Sequence, residues 1–98
     1  MANIVDYQNL QQAKVNVNNK FDEMLQNLEA MKARVVEMNE SSWKGSSGNV
    51  FNEVFEEIKA KITAKREEFN NAIDEKLTLW HNEFSDTEKA QIQAAQNM

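Results

Sequence analysis

The sequence has no cysteine and no proline, and it has only two glycines among 98 residues. Without cysteine the chain has no disulfide, no zinc knuckle and no thiol nucleophile, so its stability must come from packing or from a partner chain. Without proline no helix is interrupted, and residues of good helix propensity (Gln, Lys, Glu, Ala, Leu, Met) dominate. The composition therefore favours an all-α fold.

Basic residues are scattered, with 11 Lys and Arg among 16 Asp and Glu and a formal net charge of -5. Nucleic-acid binding needs a concentrated basic face, so we expect no nucleic-acid partner. No apolar run is long enough to span a bilayer, and the first residues, MANIVDYQNLQQ, do not resemble a secretory signal peptide. We therefore expect no stable membrane insertion, and synthesis in the cytoplasm without a cleavable signal peptide.

Apolar residues recur at alternating steps of three and four in both halves of the chain. This heptad-like spacing is typical of helices packed lengthwise on other helices. Lys14 interrupts the row in the first half, and Lys65 or Arg66 interrupts it in the second. The predicted bundle seam comprises Leu10, Val17, Phe21, Met24, Leu28, Met31, Val35, Phe55, Ile58, Ile62, Phe69 and Ile73.

These patterns predict one domain over residues 1–98. Helix 1 is expected at about 6–41, a turn at about 42–48 and helix 2 at about 49–84, and the short turn makes the two helices antiparallel. Residues 85–98 are expected to form a mobile or weakly helical tail, although Ser85-Asp86-Thr87-Glu88 has the spacing of a capping box. A lone hairpin leaves apolar surface exposed, so we expect pairing into a four-helix bundle, as a homodimer or a heterodimer.

The turn carries a family resemblance. Trp43-Lys44-Gly45 is a W-x-G triplet at the centre of the chain, and Ser47, Gly48 and Phe51 follow the tryptophan by four, five and eight positions. In triplet, length and helicity the chain resembles the WXG family of small type VII secretion proteins, the ESAT-like antigens of Gram-positive bacteria and mycobacteria.

The resemblance implies a helical hairpin that dimerises with itself or with a related hairpin and is exported folded by an ATPase-driven membrane machine. It implies that Trp43 and Gly45 form part of an export surface, with Ser47, Gly48 and Phe51 packing around the turn. The protein is then secreted, with association at the cell surface as a further option. The secretion ATPase, and in some cases a larger co-secreted effector, are the implied partners.

The family's second export element is a tyrosine followed four residues later by Asp or Glu, near the carboxyl end. The only tyrosine here, Tyr7, lies at the opposite end of the chain and is followed by Gln11. The nearest substitute is Phe84 with Glu88, and Ile92 lies a further turn along. Either this pair serves as the export signal, or a partner chain supplies the tyrosine.

Enzymatic activity, cofactors and metals are not expected. The sequence has one histidine, His81, and no phosphate-binding loop, Ser-His-Asp set or Cys/His cluster. A rival function is a cytosolic helical adaptor, or a targeting chaperone for a larger secreted effector or toxin, that is not itself exported. Membrane lysis is disfavoured because the acidic charge repels anionic lipid.

Overall fold

The computed structural model describes residues 3–38 and 46–96, apart from the side chains of Met38, Ser46 and Ser47. Within these residues only Asn3, Phe84 and Ser85 lie outside helices, and no strand is present. The predicted all-α class is confirmed. The helices are α1 (Ile4–Met38), α2 (Ser46–Glu83) and α3 (Asp86–Gln96).

The chain divides into two compact units. Unit 1 comprises Met1–Val17 and Glu68–Met98, and unit 2 comprises Asn18–Glu67. Each unit therefore contains a segment of α1 and a segment of α2 that pack against each other.

In unit 1 the Tyr7 ring of α1 lies beside the His81 ring of α2, and Lys14 forms an ion pair with Asp74. Later residues of α1 thus face earlier residues of α2. The same order holds within unit 2, where the ion pairs Asp22–Arg66, Glu29–Lys59 and Lys32–Glu56 connect the two helices. The segments are antiparallel in each unit, which confirms the predicted helical hairpin.

Reciprocal hydrogen bonds close the first turns of α1 and α3. The amide of Asp6 donates to Asn3 Oδ1 at 2.8 Å, and the Asn3 amide donates to Asp6 Oδ2 at 3.3 Å. At α3 the Ser85 amide donates to Glu88 Oε1 at 2.9 Å, and the Glu88 amide donates to Ser85 Oγ at 3.2 Å. This is the capping box that the sequence contains, and it satisfies amides that a helix start leaves unbonded.

The core of unit 2 is narrow. Leu28 of α1 and Phe55 of α2 are buried, and the Phe51 ring meets the Phe55 ring edge to face with centroids 4.7 Å apart. Burying a side chain of this size stabilises the fold by about 1.5–3 kcal/mol. With so few buried side chains, most of the surface of each helix remains available to solvent or to another chain.

Candidate functional site

The residues predicted for the turn fall partly beyond the described residues. Trp43 and Gly45 lie outside them, as does the side chain of Ser47, so their predicted export role stays a prediction. Gly48 is half-buried in the first turn of α2. Phe51 is half-buried as well and packs on Phe55.

The predicted seam separates into residues of different exposure. Leu28 and Phe55 are buried, whereas Met24, Met31 and Ile58 are exposed. The remaining members are half-buried, namely Leu10, Val17, Phe21, Val35, Ile62, Phe69 and Ile73. The apolar rows therefore contain more residues than the hairpin itself covers.

One side of unit 2 is lined by ion pairs. Asp22 Oδ1 lies 2.7 Å from Arg66 Nη1, Glu29 Oε1 lies 3.3 Å from Lys59 Nζ, and Lys32 Nζ lies 3.5 Å from Glu56 Oε1. The residue numbers of the two partners add to the same total in all three pairs. The pairs thus follow one antiparallel register, and we call this side the ion-paired flank.

The opposite side of unit 2 is apolar. Residues two positions apart on a helix point about 200° apart. Met24 and Met31 follow Asp22 and Glu29 by two positions, so they lie across α1 from the ion pairs. Val54 and Ile58 lie two positions on either side of Glu56 and occupy the corresponding side of α2. We call this set the apolar flank, and its four residues are exposed: Met24 47%, Met31 54%, Val54 46% and Ile58 40%.

Basic residues continue the two stripes of the apolar flank. On α1, Lys20 lies four positions before Met24 and Arg34 lies three positions after Met31. On α2, Lys61 and Lys65 lie three and seven positions after Ile58. Residues at these spacings share a helix face. Lys20 is paired within α1, because its Nζ lies 3.3 Å from Glu23 Oε2. Arg34 and Lys61 thus add positive charge beside the apolar flank, although the whole chain carries a formal charge of -5.

The candidate carboxyl-terminal signal lies in unit 1 and is packed rather than exposed. Phe84 is 6% exposed, and its ring meets the Tyr7 ring edge to face with centroids 5.5 Å apart. Ile92 of α3 completes this cluster at 3% exposure, and Ile4, Leu77 and Trp80 pack against it. The structure thus brings the chain's only tyrosine onto Phe84 from the other end of the sequence. Sequence spacing gave no signal of this contact, because it joins residues far apart in the chain.

Glu88 is half-buried, and its carboxylate accepts the hydrogen bond from the Ser85 amide. The aromatic and the acid of the candidate signal are therefore both engaged within the chain. Among the described residues no group of three or more His, Cys, Asp or Glu is arranged to hold a metal ion. None of the helices described has the length of apolar sequence that crossing a bilayer requires.

Comparison with known families identifies the chain's relatives. A family model described as proteins of 100 residues with WXG matches residues 4–89 of the chain. The chain belongs to the WXG100 family. This confirms the resemblance drawn from the W-x-G triplet, and the match includes both long helices. Searches of curated proteins and of solved structures found no match.

Membership defines the general role. WXG100 proteins are small helical proteins that type VII systems secrete, and they pair as dimers of helical hairpins. The chain is therefore a small type VII secretion-associated protein. The family is not known for enzymatic activity.

Proposed function

We propose that this WXG100 chain is a substrate or co-secreted partner of a type VII secretion system and acts by protein-protein interaction. The apolar flank of unit 2 is the observation that most directly supports action by protein-protein interaction. Its four exposed side chains form stripes on both helices, and apolar surface of this kind marks a protein interface.

Pairing takes place through the apolar flank in this proposal. Met24 and Met31 supply flexible thioether side chains that adapt to a partner surface, and Val54 and Ile58 supply branched ones. A second helical hairpin laid along this flank would cover both stripes and complete a four-helix bundle. The ion-paired flank stays outside that interface because its charged groups already have partners in the chain.

The cations beside the apolar flank favour a different hairpin over a second copy. Two copies joined through this flank would bring the positive charges of Arg34 and Lys61 on one chain towards those of the other. Like charges across an interface oppose association, whereas an acidic border on the partner favours it. The proposed partner is therefore a related hairpin whose apolar flank has acidic neighbours.

Paired variants on the two flanks test the interface. Met31→Glu places a charge on the apolar flank. Val36→Glu places the same charge at an exposed position one turn after Lys32, on the ion-paired flank. We expect Met31→Glu to weaken pairing by about tenfold or more and Val36→Glu to change it by about twofold or less. Co-purification with the co-expressed partner, followed by titration calorimetry, measures the difference. Equal losses in both variants would contradict this choice of flank.

Export is tested in the producing cell. With the secretion ATPase intact the chain should accumulate in the medium, and without it the chain should remain in the lysate. Trp43→Ala and Gly45→Ala are expected to reduce export while circular dichroism shows unchanged helix content, because the turn belongs to the proposed export surface. Full export of both variants, or export without the ATPase, would refute the proposal and favour the adaptor that stays in the cytoplasm.

A further inference from the structure

The most buried side chain of α3 belongs to Ile92, in a segment with little other apolar character. Ile92 is 3% exposed and is the only buried residue of α3. Apart from alanine it is also the only apolar residue between Asp86 and Gln96. A single side chain therefore provides most of the apolar contact that holds α3 in unit 1.

The helix itself is marginal without that contact. It has 11 residues, and isolated helices shorter than about 12–15 residues are barely stable in water. Its capping box adds local stability at the first turn but nothing at the far end. Phe84 and Ser85, which precede it, lie outside helices and form the connection to α2. Undocking of α3 therefore breaks one apolar anchor and leaves the α1 and α2 segments of unit 1 in contact.

Undocking changes what another protein can reach. In the docked state the Phe84 ring is enclosed by Tyr7 and Ile92, and the Glu88 carboxylate is bonded to the Ser85 amide. When α3 leaves, the Phe84 ring loses its contact with Ile92 and keeps its contact with Tyr7 of α1. When the first turn of α3 also unwinds, the Glu88 carboxylate is released. Undocking followed by unwinding of the first turn therefore makes both groups of the candidate signal available.

We propose that docking of α3 through Ile92 reversibly covers Phe84, and that the secretion machinery binds the Phe84–Glu88 segment, whose acid lies in the first turn of α3, only after α3 undocks. The export role of the segment rests on the proposed function, whereas independent opening of α3 does not. Covered signals would keep the folded chain from engaging the machinery until a partner or the machinery itself captures the open state.

Hydrogen exchange on the full chain tests the opening. Ile92→Ala removes the anchor but keeps helix propensity, and Gln93→Ala at the exposed neighbouring position is the matched control. We expect amides of residues 89–96 to exchange about tenfold faster in Ile92→Ala than in the wild type, with exchange across residues 18–35 unchanged. The control should stay within about twofold of the wild type. Equal acceleration in α3 and in residues 18–35 would overturn the proposal, because α3 would then open only with the whole fold.

The export rate of a variant with a weakened α3 tests the export role of the Phe84–Glu88 segment. A second variant, Ala94→Gly with Ala95→Gly, weakens α3 at exposed positions without removing Ile92, Phe84 or Glu88. We expect the rate of appearance in the medium to rise about threefold or more in this variant, because the covered segment is exposed more often. An unchanged or lower rate, with α3 shown open by exchange, would overturn the cover. Failure of the proposed function is recognised separately, since the wild type itself would then show no ATPase-dependent export.

Discussion

Arg66 illustrates how single polar residues organise unit 2. Its Nη1 lies 2.7 Å from Asp22 Oδ1, and its Nε donates to Asn18 Oδ1 at 2.8 Å. Asn18 and Asp22 are four positions apart on α1, so one guanidinium group reaches two successive turns of the facing helix. The planar, forked group suits two acceptors at once in a way that an ammonium does not.

At the residue scale we predict that Arg66→Ala lowers the free energy of unfolding by about 1 kcal/mol, a modest value because Asp22 is half exposed to solvent. Arg66→Lys should recover less than half of the loss, since lysine cannot bond both acceptors in this geometry. Urea unfolding followed by circular dichroism measures both values. Lys61→Ala, an exposed cation of α2, is the control and should cost about 0.5 kcal/mol or less. If Lys61→Ala lowered the free energy of unfolding as much as Arg66→Ala, the two bonds of Arg66 to α1 would contribute nothing to stability.

In the sequence, Arg66 is recognisable only as an interruption of the apolar row. Lys14, and Lys65 or Arg66, interrupt the apolar rows, and nothing in the spacing shows what an interruption does. In the structure Lys14 and Arg66 are half-buried, and each reaches a carboxylate on the other helix. Such contacts depend on which residue of the second helix is level with each cation. That register is fixed by packing of the two helices and is not visible along one of them.

At the scale of the element, the helices carry more apolar residues than their mutual contact uses. The heptad spacing correctly predicted long helices packed lengthwise, but it combined two adjacent rows into one seam. The row through Leu28 faces α2, whereas the row through Met24 and Met31 lies on the exposed side. A period shows that residues share a face of a helix. It does not show whether that face meets the same chain or another.

Truncation of one residue from each row separates the two roles. Leu28→Ala should cost about 2–5 kcal/mol of unfolding free energy in the chain alone, because it opens a cavity against α2. Met31→Ala, at 54% exposure on the same helix, should cost about 0.5 kcal/mol or less alone. In the paired complex Met31→Ala should cost clearly more than that, because its side chain is then covered. Urea unfolding of each variant, alone and with the partner, measures the four losses of unfolding free energy. Similar losses for both variants in the chain alone would contradict the assignment of the rows.

The tail is the element whose packing the sequence did not indicate. Residues 85–98 were expected to be mobile or weakly helical because Ile92 is almost the only large apolar residue there. The structure forms α3 over Asp86–Gln96 and buries Ile92 against Tyr7 and Phe84. The receiving surface is built from the two ends of the chain, so composition of the tail alone gives no indication of it. The capping box was the one local signal of the helix.

On the scale of the whole molecule, an acidic chain carries the cations Arg34 and Lys61 beside its apolar flank. Net charge therefore does not describe the charge that a partner meets. Self-association is expected to be weak, and light scattering of the purified chain at micromolar concentration should give a mass near 11.3 kDa. A stable mass of twice that value would contradict the preference for a different partner.

A charge-swapped copy provides a direct test of complementarity. Arg34→Glu with Lys61→Glu reverses the charge at these two positions beside the apolar flank in an otherwise identical chain. Mixing this variant with the wild type should give pairing that neither shows alone, and the dissociation constant should rise about tenfold from low salt to high salt. Lys76→Glu with Lys89→Glu changes the same amount of charge in unit 1 and serves as the control. If the control mixture also pairs, the association is caused by net charge and not by the apolar flank.

The constant register of the ion pairs in unit 2 also disfavours misaligned pairing of α1 with α2 during folding. Repetitive helices can slide past each other by one heptad and still bury apolar residues. Such a shift in one direction would leave Asp22 level with Ile73 and only Glu29 opposite a cation, Arg66. In the other direction only Asp22 would meet one, Lys59. Misaligned hairpins would thus lose most of their cross-helix bonds, so the chain can select its alignment before any other protein binds it.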